Sequence, residues 1–471
     1  MARIDADICV IGAGSAGLSV AAGASQLGAR TVLIERGKMG GDCLNYGCVP
    51  SKALIASAKI AAAWKRSAAL GVTYQPPAID GGAVHAHVQG VIEAIAPMDS
   101  EERFTALGVT VLRAEARFTG PGELRAGDDE IRARRFVVAT GSRASLPPIP
   151  GLADLPFLTN ETIFEQSAIP EHLLVIGGGP IGIELAQAHL RLGARVTVLE
   201  VARILPKDDP EFVALLRGRL AAEGLALRDG VRIARMERDG AGVAAVLEDG
   251  ERIAGSHVLV AAGRQPNIEA LDLDKAGVRA GPRGIEVDAR LRTSNKRIYA
   301  MGDVAGGPQF THVAGYHAGI VIRNALFRLP AKVDYSALPW VTYTDPELAH
   351  AGLGEAAARE RHGDDVAILR WTFHENDRAQ TERETFGLIK VVARKSGRIL
   401  GATILGAQAG ELIPLWVLAI GQKLKVKAVA SMIAPYPTLS EVSKRAAGSF
   451  FTPKLFSERT RKIVRVLSWL G

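Results

Sequence analysis

The chain has 471 residues, 48 % apolar and 23 % charged, a composition that fits an ordinary soluble globular protein of about three domains, each with its own core. Its net charge of +7 is mild and spread along the chain except near the C-terminus, and no nucleic-acid-binding motif accompanies it. Three cysteines exclude a framework of paired structural disulfides and point to a reducing compartment. Met1–Ser25 has an early arginine and an apolar run, but Gly12, Gly14 and Gly17 break that run and it leads into a strand, so it does not read as a signal. The apolar stretch Leu412–Ile420 contains Pro414 and is far too short to span a bilayer. The expected location is the cytoplasm.

The first predicted unit is Asp7–Glu35, DICVIGAGSAGLSVAAGASQLGARTVLIE: strand, glycine-rich turn, helix, strand. Cys9, Val10 and Ile11 form a buried strand run, and Gly12, Gly14 and Gly17 supply G-x-G-x-x-G where the helix begins. Glycine at those places permits the tight turn and lets a pyrophosphate reach the free N–H groups and positive end of the helix. Glu35 closes the second strand 21 residues after Gly14, where a carboxylate can accept hydrogen bonds from a ribose.

Gly40–Lys52, GGDCLNYGCVPSK, follows, with Cys43 and Cys48 separated by four residues. On a regular helix such residues lie about 7.5 Å apart along the axis and roughly 140° apart around it. A disulfide needs Cα atoms within ~7 Å and converging Cβ vectors. A bridge here therefore requires distorted backbone, which Gly47 permits, and a bridge strained in that way is easily reduced. Two free thiols or half of a metal site are the other readings. Zinc sites want four ligands, the remaining cysteine, Cys9, sits in an apolar strand, and no metal site is expected.

Ser51–Arg66 has the period of a helix, and Arg135–Arg143 reads as a strand and glycine turn, echoed by His257–Pro266. Pro-rich Ser145–Gly151 reads as a linker. His172–Glu200 then repeats the first unit at a shift of 165 residues: Gly177, Gly179, Gly182 and Glu200 fall on Gly12, Gly14, Gly17 and Glu35, and Leu-Gly-Ala-Arg recurs in both. Two such units imply two dinucleotides. Arg297–Gly306 is a further strand and glycine turn, with Asp303 at the strand end or as a helix N-cap. From about Tyr335 the texture changes to alternating strands with turn signals, then helix-like Gly410–Lys425 and Val426–Ile433.

Together these stretches resemble the class I pyridine nucleotide–disulfide oxidoreductases, the flavoenzyme family of dihydrolipoamide dehydrogenase, glutathione reductase and mercuric reductase, over roughly residues 5–450. The resemblance implies an α/β protein: two Rossmann-like dinucleotide-binding domains plus a C-terminal α+β interface domain through which two subunits pair. Residues 1–147 and 283–334 would form the FAD domain, 148–282 the NAD(P) domain and 335–471 the interface domain with a basic tail. Cys43 and Cys48 would be a redox-active disulfide, with Cys48 the inner, charge-transfer thiol and Cys43 the outer, exchanging one. Lys52 and Glu184 would be an ion pair near the flavin N5. FAD binding would fall to Gly12, Gly14, Ser15, Ala16, Gly17, Glu35, Arg36, Gly41, Asp42, Thr140, Gly141, Gly302 and Asp303, with His312 close to the flavin. The nicotinamide cofactor would fall to Gly177, Gly179, Pro180, Ile181, Gly182, Glu200, Gly263 and Arg264. Glu200 suits a 2′-hydroxyl and repels a 2′-phosphate, which favours NADH over NADPH, although Arg203 stands nearby.

Two departures bear on the electron acceptor, and they pull in opposite directions. The family's disulfide reducers end in His-Pro-Thr-x-x-Glu, whose His serves the outer thiol as acid and base. Here the text is Tyr436-Pro437-Thr438-Leu439-Ser440-Glu441. A phenol with a pKa near 10 is a poor base at neutral pH compared with an imidazole near 6.5. Mercuric reductases carry Tyr in the matching place, so the expected reaction is transfer of electrons from NAD(P)H through FAD and the dithiol to a thiol-bound metal ion or similar soft electrophile. The alternatives are an NAD(P)H-dependent disulfide reductase resembling dihydrolipoamide dehydrogenase, with Glu441 acting through water, and a flavin redox sensor or membrane-associated binding protein. Typical mercuric reductases also end in a vicinal cysteine pair, which the tail Phe450–Gly471 lacks. That tail alternates Arg459, Arg461, Lys462 and Arg465 with Ile463, Val466, Leu467 and Leu470 at helical spacing, for packing on the dimer or for weak contact with a membrane surface.

Overall fold

A computed structural model of the chain describes residues 3–469. Its contacts divide it into two compact units: residues 1–58, 78–201 and 228–333 in the first, and 59–77, 202–227 and 334–471 in the second.

In the first unit, the strand Arg3–Ile11 lies parallel to Thr31–Ile34 on one side and to Asp129–Val138 on the other, with Ile8 opposite Thr31 and Arg135. Val109–Leu112 extends this sheet beyond Thr31–Ile34, Ile298–Ala300 pairs parallel with Asp129–Val138, and Glu123–Ala126 and Ala116–Gly120 add an antiparallel edge. Cys9, Val10, Ile11 and all of Thr31–Ile34 are buried, which is why these strands read as unbroken apolar runs: both faces of a parallel sheet are covered. The helix Ser15–Gln26 packs on Thr311–Ala325, so closely that a Cβ on Gly23 would stand 2.6 Å from Ile322 Cδ1. The repeated unit builds a second parallel sheet in the order Arg195–Glu200, His172–Ile176, His257–Val260. An antiparallel meander of Ile233–Asp239, Gly242–Leu247 and Arg252–Gly255 stands beside it; the sequence reading had not anticipated it. Ser145–Gly151 forms no regular element and lies inside the first unit.

The second unit is α+β. An antiparallel sheet runs in the order Pro339–Thr342, Glu347–Gly352, Ile399–Gly406, Leu388–Arg394, Val366–Thr372. The helices Pro414–Gly421, Val426–Ala430 and Glu441–Ser449 contribute to its core, where the fully buried Trp416 donates its indole N–H to Ser443 Oγ across 3.1 Å. Two excursions from earlier in the chain join this unit. Lys59 and Arg66 reach Glu347 (3.4 Å) and Asp345 (3.6 Å), and Asp209 accepts from the buried Lys390 at 2.7 Å. Burial alone would lower the Lys390 pKa, but hydrogen bonds to Asp209 and Glu211 outweigh it and raise the value.

Candidate redox and dinucleotide site

Each glycine-rich loop is held by contacts that admit no side chain. Gly12 has φ +102°, and a Cβ there would lie 2.5 Å from Ala139 O; a Cβ on Gly17 would lie 1.8 Å from Gly12 O. The repeated dinucleotide loop has the same close approaches, with Gly177 at φ +113° and 2.5 Å from Ala261 O, and Gly182 2.1 Å from Gly177 O. The helices Ser15–Gln26 and Pro180–Arg191 begin after Gly14 and Gly179 with no side-chain cap. Their first N–H groups, on Ser15 and Ala16 in one and on Ile181 in the other, are thus left for solvent or an anion. A Cβ on Gly179 would meet nothing within 4 Å, and on Gly14 only Gly41 Cα at 3.8 Å, so the approach to both helix ends fits a pyrophosphate. Glu35 accepts the Ala13 and Gly37 N–H groups, each at 2.6 Å, and Glu200 accepts the Gly178 N–H at 2.6 Å. Arg36 turns outward to Glu115 at 3.3 Å.

The cysteine segment is laid directly on the first loop. Gly40 donates its N–H to Ala13 O, and Gly41, at φ +59°, brings its Cα so near Gly14 that a Cβ would lie 2.6 Å from Gly14 Cα. Cys43 lies in the short helix Gly41–Asn45, which breaks at Tyr46 (φ −141°, ψ 0°). The expected distortion between the cysteines is this break, and Gly47 within it is closely packed: a Cβ would come 3.0 Å from Asp42 O and Oδ2. A second helix, Cys48–Ser67, starts three residues earlier than the sequence period suggested and so places Cys48 at its positive end.

Both cysteines are thiols in this structure, Cys43 half-buried and Cys48 exposed. The hydrogen bond from Cys43 is the largest influence on Cys48; with Thr311 and Lys52 it outweighs burial and brings the Cys48 thiol down to about 6. The same bond, reinforced by burial, pushes Cys43 up. Thr311 Oγ1, on the first residue of Thr311–Ala325, stands 3.5 Å from Cys48 Sγ. One helical turn after Cys48, Lys52 Nζ meets Glu184 Oε2 at 2.8 Å; Glu184 comes from the helix of the second dinucleotide unit and is buried.

A second polar cluster ties the same elements together. Arg264, expected beside the nicotinamide, is paired with Asp42 at 3.1 Å and Asp303 at 3.6 Å. It also donates to Ser142 Oγ (2.7 Å) and Ser142 O (2.9 Å), because Arg264–Pro266 runs antiparallel to Ser142–Ala144. Asp303 accepts from Ser142 Oγ at 2.5 Å and caps no helix; burial raises its pKa. Asp42 further accepts from the buried Asn160 at 3.0 Å. Gly141, Gly263 and Gly302 all have positive φ (68°, 128° and 68°) at the strand ends where these side chains meet, and Thr140 donates to Asn267 O at 2.7 Å. Gly302 donates its N–H to Nδ1 of His317 at 3.1 Å, and burial brings that imidazole down to about 4. His312 stacks on Phe310 with ring centroids 5.1 Å apart. Ser142, Asn160 and Thr311 escaped the sequence reading. Ser142 and Thr311 each adjoin a residue the reading had singled out, Gly141 and His312, whereas nothing around Asn160 marks it.

In the second unit, Tyr436 is 71 % exposed and donates its hydroxyl to Asp377 Oδ2 at 3.0 Å. Asp377 opens the helix Asp377–Glu382, and its bond and charge raise the phenol pKa, with Glu441 adding to the effect. Glu441 begins the helix Glu441–Ser449. Among the described residues, no cluster of three or more His, Cys, Asp or Glu side chains is arranged to hold a metal ion.

Two nucleotide-binding loops joined to a dithiol define an oxidoreductase of the α/β dinucleotide class. The chain belongs to the pyridine nucleotide-disulphide oxidoreductase family, whose pattern matches residues 6–318, followed by the family's dimerisation domain over 338–447. It is 34 % identical over 452 residues to a mercuric reductase of Staphylococcus aureus, covering 95 % of this chain and 82 % of that one. It is 37 % identical over 456 residues to a dihydrolipoyl dehydrogenase of Thermus scotoductus, covering 94 % and 96 %. Its fold is similar to that of the Cu(II) complex of the HOCl-induced flavoprotein disulfide reductase RclA from Escherichia coli, with TM-score 0.85, 27 % identity and coverage of 93 % and 98 %. Members of the family bind FAD and use a pyridine nucleotide, and the dimerisation domain supports a homodimer. Among the described residues, no helix is long and apolar enough to cross a membrane.

Proposed function

We propose that this protein is a cytoplasmic, homodimeric NADH-dependent flavoenzyme that reduces a metal ion, with thiol-bound Hg(II) or free Cu(II) as substrate. In it, residues 1–147 and 283–334 hold FAD, 148–282 hold the nicotinamide cofactor, and 335–471 pair the subunits. FAD would lie along the first loop, on Gly12 to Gly17, Glu35, Asp42 and Asp303, and NADH on Gly177 to Gly182 and Glu200. Bound there, the flavin supplies a two-electron relay between hydride donor and dithiol.

The side chains do the rest. Lys52, pinned by Glu184, places a positive charge one helical turn from Cys48, and Cys48 near 6 is a thiolate at neutral pH. Cys43, which keeps its proton to higher pH, is the exchanging thiol. For a mercuric dithiolate the balance is Hg(SR)2 + NADH + H⁺ → Hg⁰ + NAD⁺ + 2 RSH; for copper, two Cu(II) become two Cu(I) for each NADH, with release of one proton. NADH is favoured over NADPH because Arg203, the one cation near Glu200 in sequence, is engaged with Pro206 O at 2.8 Å and Asp208 O at 3.4 Å.

The observation that carries this reading is the Tyr436–Asp377 hydrogen bond. A phenol whose pKa is raised and whose O–H is donated in a hydrogen bond to a carboxylate cannot serve as the base that thiol–disulfide exchange requires. Its oxygen lone pairs remain available to a metal–thiol complex. The second reading, a disulfide reductase using Glu441 through water, is favoured by the dihydrolipoyl dehydrogenase relative. To test them, the enzyme is reduced anaerobically with two equivalents of NADH and flavin absorbance is followed as Hg(II) with excess thiol, Cu(II) without thiol, lipoamide or glutathione disulfide is added. Fast reoxidation by the metal ions alone supports metal-ion reduction. Fast reoxidation by a disulfide replaces it with the second reading, and silence with all of them removes both.

A further inference from the structure

The tail forms the helix Glu458–Leu467, with Ser457 accepting the Thr460 N–H at its N-terminus. Leu470 and Gly471 lie outside the described residues. Successive residues turn by about 100°, which gathers Ile463, Val464, Val466 and Leu467 on one broad face and Arg461, Lys462 and Arg465 on the other. The four apolar side chains are each 50–60 % exposed, Trp469 is 78 % exposed, and Leu455 and Phe456 just before the helix are 57 % and 63 % exposed. No helix residue is buried. Among the described residues, Arg459, Arg461, Lys462 and Arg465 have no carboxylate within ion-pairing distance, and Glu458 is the single acid of the helix.

We propose that this helix lies in the plane of an anionic lipid bilayer surface and holds the enzyme there as a peripheral protein. An exposed apolar face opposite three unpaired cations, with Arg459 near its edge in the first turn, is the pattern that sinks between lipid headgroups while the cations meet lipid phosphates. A second copy of the chain is the poorer occupant. It would bring an equally basic helix to a two-fold contact, and the matched dimerisation domain ends at residue 447, before the helix begins. A protein carrying an acidic groove would suit the cations, but nothing in this chain supplies one.

The test uses the full-length holoenzyme with vesicles of phosphatidylcholine alone or with about one-third phosphatidylglycerol. At about fivefold in partitioning per cation near an anionic surface, four cations predict a preference of at least ~100-fold for the anionic vesicles, lost in high salt. Ile463→Asp with Leu467→Asp, and separately Gln at Arg459, Arg461, Lys462 and Arg465, should each reduce binding at least about tenfold. NADH oxidation with an artificial acceptor reports that both variants remain folded. Equal partitioning to the two vesicle types, or none, overturns the proposal. So does conversion of dimer to monomer by the same substitutions with vesicle binding unchanged, which would assign the face to a second copy.

Discussion

The hydroxyl of Tyr436 is bonded to Asp377, although Glu441 is the acid that shares its motif. This pairing holds the phenol in its protonated form and raises its pKa further above 10. Tyr436→Phe should therefore leave anaerobic flavin reduction by NADH unchanged while slowing reoxidation by a metal–thiol complex by about tenfold or more. Asp377→Asn should move the ultraviolet titration of the phenol to lower pH. Stopped-flow absorbance measures the first effect, and a Tyr436→Phe reference spectrum isolates the second.

Cys48 is set by its neighbours, so its reactivity has a defined pH dependence. In the reduced enzyme, alkylation of Cys48 should rise with a midpoint of about 6, whereas Cys43 should resist alkylation until far higher pH. Cys43→Ala removes the largest stabilising hydrogen bond and should shift the Cys48 midpoint upward, with Lys52→Met shifting it less. Peptide mapping after a pH series of iodoacetamide pulses checks each value.

Replacing Gly17 or Gly182 separates the two nucleotide loops. An added methyl would overlap Gly12 O at 1.8 Å or Gly177 O at 2.1 Å, and moving backbone to relieve either costs about 3 kcal/mol or more. Gly17→Ala should yield protein depleted of flavin. Gly182→Ala should retain flavin, still be reduced by dithionite, and lose reduction by NADH. Flavin-to-protein absorbance ratios and the two reductions distinguish them.

Buried His317 makes stability fall on the acid side. Its folded value near 4 lies below the ordinary 6.5, so between those values the unfolded chain takes up a proton that the folded chain refuses. The contribution is whole above pH 6.5 and is lost as the pH falls toward 4, by ~3 kcal/mol at most. His317→Gln, which can still accept the Gly302 N–H, should show a shallower loss of Tm between neutral pH and pH 4. An unchanged slope would mean that His317 does not titrate as its burial dictates.

Elements whose chemistry is local were legible from the sequence. The two glycine loops could be read because their close approaches fall at fixed short spacings, and the cysteine segment could be read because Cys, Gly and Lys cluster within it. The cluster around Arg264 could not, because Asp42, Ser142, Asn160 and Asp303 come from four separate segments, the nearest to Arg264 being 39 residues away in sequence and the farthest 222. Asp377 was hidden for the same reason: it lies 59 residues before Tyr436 and begins a short helix that apolar periodicity does not mark. The start of the helix at Cys48 rather than Ser51 was lost because a first turn carries little of the period that identifies a helix.

Glu35 and Glu200 each have a carboxylate oxygen taken by an amide of the loop that precedes their strand. A nucleotide meeting either acid finds it already oriented, so little side-chain freedom is lost on binding. The same arrangement makes these acids part of the scaffold. Exchanging Glu200 for a neutral or basic residue to admit a 2′-phosphate would also unfasten Gly178 and the turn beneath the pyrophosphate. If Glu200 meets the ribose as proposed, cofactor preference would be inherited with the loop's folding, and an engineer would have to redesign the turn together with the acid.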